Sequence, residues 1–327
     1  MADGLSVAVE RWPIAGGFTI ARGTKTEAVV VVASVTRRGI TGRGECVPYA
    51  RYGESVEGVV QALQEQADAV AQGADRAGLL ATMPPGAARN ALDGALWALA
   101  ARSAGVPVWH LAGLPPPQPV TTAYTLSLGD PAAMAAAAAR AAERPLLKVK
   151  LGGEGDDERI HAVRRAAPRA TLIVDANESW TEVTLVRNLV ACAAAGVALI
   201  EQPLPAGADA ALEGLDSPVP LCADESFHGR DGLDGLARRY ACVNLKLDKT
   251  GGLTEAIAVA AAVRERRLDL MVGCMLGTSL GMAPAFLLAP WARFVDLDGP
   301  LLLTRDREPG FAFEGSTMLP APPGLWG

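Results

Sequence analysis

The chain lacks paired cysteines, basic runs, a glycine-rich nucleotide turn and an unbroken apolar stretch of membrane type. Each absence removes a class of function. Cys46, Cys192, Cys222, Cys242 and Cys274 are odd in number and show no C-x-x-C spacing. Most lie in apolar runs and read as buried free thiols of a reducing cytosol. The net charge of −6 carries no long basic cluster, so neither nucleic acid nor an anionic membrane is an expected partner. The start, MADGLSVAVERWP, has no basic region followed by a long apolar core, so no secretory signal is expected. The longest uncharged stretch, Leu270 to Ala292, is interrupted by GTSLG and Pro284 and reads as a buried strand, loop and helix. A soluble, cytoplasmic protein is the resulting expectation.

What is present is organised in two styles. Residues 1–118 read as an α+β module, with strands at 5–11 and 28–35 and helices at 54–72 and 86–104. The run PPPQP at 115–119 marks a boundary. From there short apolar runs recur every 22 to 27 residues, at 120–126, 146–150, 171–175, 197–201, 219–223, 242–246, 269–273 and 293–297. Helix-compatible segments, clearest at 131–143, separate them. This is the outline of an α/β chain folded as a (β/α)-barrel over 119–299, with a tail at 300–327. A doubly wound sheet is the rival, but no G-x-G-x-x-G turn follows any run.

Barrel enzymes keep their chemistry at the C-terminal ends of the strands. Here those ends carry Lys148 and Lys150, Asp175, Glu201, Asp224, Lys246, and finally Asp296 and Asp298 in VDLDGP. Any one acid suits a helix N-cap or a salt bridge. Three on consecutive strands, Asp175, Glu201 and Asp224, converge in a way that calls for a hard cation, and Mg²⁺ fits an all-oxygen donor set.

Lys148 and Lys150 share a strand face, and Lys246 ends a strand across the barrel. Edge protection is the ordinary use of strand lysines, but a barrel has no edge. A lysine beside a second cation has a lowered pKa and serves as a base. With a cation gripping a carboxylate, one lysine removes the α-proton of the ene-diolate precursor and the other returns one from the opposite face. An aldolase with a Schiff-base lysine is the competing reading. It has no need of three metal-type carboxylates.

The segments KVK, DANESW, EQPLP, ADES and NLKLDKTGG resemble the enolase superfamily in its muconate-lactonizing subgroup. With GECVPYARYGES, AARNALDGALWALAAR, GCML and DLDGP, the resemblance sharpens to the dipeptide epimerases, and among them to L-Ala-D/L-Glu epimerases. It runs over almost the whole chain. It implies a modified enolase-type barrel under an N-terminal α+β cap, with the tail packing back on the cap. It also implies Asp175, Glu201 and Asp224 as Mg²⁺ ligands, Lys150 and Lys246 as the acid/base pair, and Lys148 as the partner that tunes Lys150 and helps hold the substrate carboxylate. Asn177 and Glu225 fall behind the ligands, and the loops at 16–25 and 48–54 face the substrate.

In such epimerases Asp296 and Asp298 bind the free α-ammonium of a dipeptide, which suits two carboxylates on one face. Arg22 and Lys25 are the cations for an acidic second residue. Lys25 stands where an arginine is expected, and Gly277 where relatives carry a larger residue, which would widen the pocket. The expected activity is an isomerase inverting the C-terminal residue of a small dipeptide, in murein peptide recycling. An N-acylamino acid racemase or o-succinylbenzoate synthase shares the catalytic set, and a non-catalytic metabolite-binding barrel is the reading from another class. A homo-oligomer stays open.

Overall fold

The computed structural model describes residues 3–327. Its first element is a three-stranded antiparallel sheet of β1 (Gly4–Ile20), β2 (Gly23–Arg37) and β3 (Ile40–Cys46). The first two strands are far longer than their sequence pattern predicts. After a register shift between Pro13 and Phe18 the hairpin resumes from Phe18↔Lys25 to Ile20↔Gly23. Only Ile14 of β1 is fully buried. Leu5 and Val7 pack at the edge of the first module's core, Trp12 and Phe18 pack beside Ile14, and backbone pairing with β2 holds the rest.

Helices α1 (Val56–Gln64), α2 (Ala67–Ala71), α3 (Arg76–Thr82), α4 (Ala87–Ala104) and α5 (Val108–Leu111) complete this module. The helix expected at 54–72 is thus two, while α4 follows its predicted span. Helix α4 is buried on nearly every side because it lies between the sheet and the barrel. The sheet lies flush against it through glycines. A Cβ on Gly44 would stand 2.1 Å from the Ala91 carbonyl oxygen, and one on Gly42 would stand 2.2 Å from that of Ala95. No side chain fits there.

Strand β4 (Val120–Thr121) belongs to a small sheet with the tail strands, described below. The parallel barrel is β5 (Tyr124–Leu126), β6 (Leu146–Lys150), β7 (Thr171–Asp175), β8 (Val197–Glu201), β9 (Leu221–Ala223), β10 (Cys242–Leu245), β11 (Asp269–Gly273) and β12 (Phe294–Asp296), hydrogen-bonded in that order. A parallel bridge between Thr122 and Val295 joins the two ends. The first predicted run, 120–126, is therefore shared between two sheets.

The connecting helices are α6 (Pro131–Arg140), α7 (Asp156–Ala166), α8 (Glu182–Ala194), the short α9 (Leu233–Leu236) and α10 (Leu247–Thr250), then α11 (Leu253–Glu265), α12 (Ser279–Phe286) and α13 (Gly299–Leu302). A uniform strand–helix alternation was expected. Instead β8 is followed only by a 3₁₀ turn at Ala210–Leu212, and β9 by the single turn of α9. The uncharged run at 270–292 resolves into β11, a loop and α12. Among the described residues no helix is long and apolar enough to cross a membrane.

Alternation along the strands builds the barrel interior. Ala123, Leu146, Ile173, Leu199, Cys222, Cys242 and Met271 form one apolar layer. Two residues onward the same face carries Lys148, Asp175, Glu201, Asp224, Asn244 and Asp296, all buried. The tail strands β13 (Phe313–Glu314) and β14 (Thr317–Met318) pair with β4, and the Trp326 indole donates to the Gly94 carbonyl on α4 at 3.0 Å. Arg307 of the tail donates to Glu10 and Glu45 of the first module, both at 2.7 Å. Tail, sheet and barrel are thereby bound together.

Candidate active site

Lys150 and Lys246 face each other from strands four places apart in the eight-stranded order. Lys150 Nζ donates to Asp175 Oδ2 at 2.6 Å, and Lys246 Nζ to Asp224 Oδ2 at 2.7 Å. Lys148 lies deeper, 2.7 Å from Glu201 Oε2, 2.7 Å from Asp296 Oδ2 and 3.2 Å from Asp175 Oδ2. Asp175 and Glu201 are directly opposed in register, whereas the partner of Glu201 on β9 is Cys222. Asp224 therefore stands two residues further up, and the three acids form a staircase instead of a single row.

Burial and neighbouring charge set their ionisation. Burial opposes the charge on Asp175, but Lys150 and Lys148 outweigh it and hold the carboxyl below its usual range. Asp224 is likewise held well below its usual range, burial being overcome by Lys246 and Lys249. Glu201 goes the other way, pushed up to about 7 by burial and by Asp175. The lysines differ from expectation. Burial would lower Lys148 and Lys246, yet Asp296 and Glu201 raise the first, and Asp224 and Glu201 the second, well above the ordinary lysine value. Here the facing carboxylates outweigh the neighbouring cation.

The donor set suits a hard divalent cation: Asp175, Glu201 and Asp224 offer only oxygens. Lys148 forms an ion pair with Glu201 without hydrogen-bond geometry, which leaves Glu201 Oε2 buried and without a donor. As they stand, no three His, Cys, Asp or Glu groups among the described residues are gathered closely enough to hold an ion. Lys148 sits between Asp175 and Glu201, and Lys246 with Lys249 engages Asp224. The residues fit the ion by chemistry, with those ammonium groups as its competitors.

Asp296 and Asp298 also share a wall. Asp296 Oδ1 is buried without a partner, and Asp298 Oδ2 accepts from the Thr125 N–H at 2.6 Å. Burial and the adjacent Asp296 push Asp298 up to about 7. The two line a recess of about 40 Å³ with Lys148, Lys150 and Lys246, and Lys150 and Lys246 also border a cavity of about 530 Å³ lined by Asp224, Cys274 and the first module's Phe18, Arg22, Lys25 and Tyr49. Asn177 reaches the same cavity, its N–H donating to Asp175 Oδ1 at 2.9 Å.

Two cations were expected for a substrate's acidic side chain, and the structure treats them differently. Among the described residues Lys25 makes no ion pair; its ammonium lies 5.1 Å from the centre of the Tyr49 ring. Burial and Arg22 lower its pKa. The guanidinium of Arg22 is engaged within the protein, donating to Glu225 Oε1 at 2.8 Å, Asn177 O at 3.0 Å, Tyr49 Oη at 3.0 Å and Glu178 Oε2 at 3.2 Å. Gly277 does not border the cavity at all. A Cβ there would stand 2.9 Å from Glu45 Oε1 and 3.2 Å from Val47, so this glycine gives room to Glu45 and does not widen the pocket.

Several site residues escaped the sequence reading. Lys249, three residues beyond Lys246, is buried and donates to Asp224 Oδ1 at 2.6 Å. Asn244 donates to Glu201 Oε1 at 2.7 Å, and its inward alternation with Lys246 was the available signal. Gln202, at φ 34°, accepts from the Asp224 N–H at 2.9 Å. No sequence pattern announces that bond.

Comparison with known proteins agrees with this geometry. Residues 130–325 match the model described as enolase C-terminal domain-like, and residues 3–113 that of the mandelate racemase/muconate lactonizing enzyme N-terminal domain. The L-Ala-D/L-Glu epimerase of Escherichia coli (strain K12) is 48% identical over 93% of this chain and 95% of its own. The N-acetyl-D-glutamate racemase of a Pseudoalteromonas species is 43% identical over 91% of this chain and 95% of its own. A solved enolase family member from Agrobacterium tumefaciens, with homology to dipeptide epimerases and with bound sodium and L-Ala-L-Glu, is 53% identical. It superposes with a TM-score of 0.97 over 99% of each chain. The chain belongs to the enolase superfamily, with the paired domains of its mandelate racemase and muconate lactonizing enzymes.

Proposed function

We propose that this chain is a dipeptide epimerase, with L-Ala-D/L-Glu as its substrate, acting by two-base transfer of the α-proton. The observation that carries the reading is the facing of Lys150 and Lys246 across one cavity, with carboxylates on the strands between them. Asp175, Glu201 and Asp224 would hold a Mg²⁺ ion, which when bound acidifies the proton beside the substrate carboxylate. Lys150 and Lys246, on strands four places apart, would flank the α-carbon of a substrate in the cavity between them. With the facing carboxylates engaged by the ion instead of by the ammonium groups that compete for them, one lysine would take the proton as a neutral amine, and the other, as ammonium, would deliver one to the opposite face. The lysine that donates in one direction accepts in the other, so either epimer is a substrate. Asn244 holds Glu201 through Oε1 and would orient the carboxylate that serves the ion.

Asp296 and Asp298 supply the wall for an α-ammonium. The unpartnered Asp296 Oδ1 is a ready acceptor, and three N–H donors of an ammonium suit two carboxylates. Lys25 supplies the positive charge for the acidic side chain of the second residue, and a role in recycling cell-wall peptides follows from that specificity.

One observation favours a second reading. Asp298, pushed up to about 7, carries a proton through much of the neutral range and can donate to an acyl oxygen. That would suit an N-acyl amino acid, as in the Pseudoalteromonas racemase. Incubation in D₂O with Mg²⁺, followed by proton NMR, separates the two. α-Proton exchange in L-Ala-L-Glu at least about tenfold faster than in N-acetyl-L-Glu supports the dipeptide, and the reverse order sinks it.

A further inference from the structure

Two loops of the first module close the cavity, and both are tied to one barrel side chain that the reaction does not use. Glu178 follows β7, and its carboxylate is 10% exposed. Arg51 grips it with both edges of its guanidinium, Nε at 2.7 Å from Oε2 and Nη2 at 2.6 Å from Oε1. Arg22, from the β1–β2 turn, adds Nη1 at 3.2 Å, and the Ala206 N–H donates at 2.8 Å. Every oxygen of Glu178 is therefore satisfied, and two of its partners come from separate loops that line the cavity.

The backbone beneath is unusual. Asn177 and Glu178 occupy the left-handed region in succession, with φ of 45° and 69°. Side-chain-bearing residues seldom adopt it, and two in a row require surrounding contacts to hold them. The conformation turns Glu178 up toward the capping loops while Asn177 stays beside Asp175. Bidentate pairing of arginine with a carboxylate gives fixed direction as well as attraction. An ordinary surface ion pair gives little of either.

We propose that Glu178 is a positioning residue that holds both capping loops shut over the cavity through Arg51 and Arg22. It touches neither the lysines nor the carboxylates proposed for the ion. Its effect on turnover rests on the epimerase reading, whereas its effect on loop closure does not. Closure excludes water and brings Lys25 and Tyr49 over the substrate, so loss of the clamp acts on substrate retention before it acts on chemistry.

Glu178→Gln keeps the shape and removes the charge. Hydrogen–deuterium exchange should quicken at least about tenfold in peptides covering 16–25 and 48–54 while helix α4 keeps its protection. With L-Ala-L-Glu and Mg²⁺, KM should rise about tenfold and kcat change by less than about threefold. Arg51→Met should reproduce both effects, and Arg51→Lys should recover part of each, since lysine keeps the charge but lacks the fork. If Glu178→Gln does not fold, Arg51→Met carries the same readouts from the exposed side of the pair. Unchanged exchange in both loops, or a loss confined to kcat, overturns the proposal. Absence of turnover in the unaltered protein would overturn the epimerase reading alone, since the exchange comparison needs no substrate.

Discussion

Lys148 Nζ donates to Asp296 Oδ2 at 2.7 Å, linking β6 to β12 through the barrel interior. The aspartate pair of VDLDGP thus has its positive partner in the free protein, and that partner also contacts Glu201 and Asp175. A substrate ammonium and a metal ion compete with one lysine. Asp296→Asn leaves Lys148 its other acids but takes away the charge an incoming ammonium would meet. The expected result is a fall of about 100-fold in kcat/KM for L-Ala-L-Glu, the size of a lost buried charge pair. Turnover of N-acetyl-L-Glu should fall much less. Equal losses for both substrates in steady-state assays would remove Asp296 from ammonium recognition.

Asp298 gives that recognition a pH dependence. With its carboxyl at about 7, it is neutral below that value and charged above it. For a ligand bearing an ammonium, kcat/KM should therefore rise as pH increases through about 7. For an N-acyl ligand that needs a proton from Asp298, the same profile should fall. Asp298→Asn should flatten the inflection in either case. A profile between pH 5.5 and 8.5 that keeps its inflection in the variant assigns it to another group.

The opposed lysines separate exchange from inversion. In Lys150→Ala and in Lys246→Ala, epimerisation should drop by at least about 10³-fold, since one face has lost its proton carrier. Each variant should still wash deuterium from D₂O into one epimer of the dipeptide, with opposite choice of epimer in the two. Chiral analysis after incubation in D₂O reads both quantities. Full inversion in either variant would end the two-base mechanism. Removing metal with EDTA should abolish exchange in the unaltered protein, and Mg²⁺ should restore it.

Much of this site was legible because strands alternate strictly. Lys148 and Lys150, then Asp175, Glu201, Asp224, Lys246 and Asp296, share one parity with the apolar layer below them, so their common direction followed from spacing. What stayed hidden depended on long-range contacts. Arg22 reads as a free cation in IARGTKTEA, yet it meets Glu225 across 203 positions of sequence. Lys249 lies one helical turn past the strand end and folds back on Asp224. The part of β1 beyond the predicted strand at 5–11 buries only Ile14, and the register shift between Pro13 and Phe18 breaks any hydrophobic period that could announce it.

Asp248 offers a test of the joint between cap and barrel that involves no substrate. Its Oδ1 accepts from Asn90 Nδ2 on α4 at 2.8 Å and from the Val47 N–H at 3.2 Å. Burial, with repulsion from Glu54 and Glu45, raises its carboxyl to about 7 against the donors that would lower it. In the unfolded chain an aspartate titrates near 4. Between those values the folded protein binds the proton more tightly, so stability falls as pH rises through this window. The contribution is complete below about pH 4 and lost above about 7. Asp248→Asn keeps the Oδ1 acceptor and cannot ionise. It should be more stable than the unaltered protein at pH 8, by on the order of 2 kcal/mol, and the gap should close toward pH 5. Denaturant unfolding at the two pH values measures it. A gap that is equal at both, or largest at pH 5, would mean that Asp248 stays charged in the folded protein.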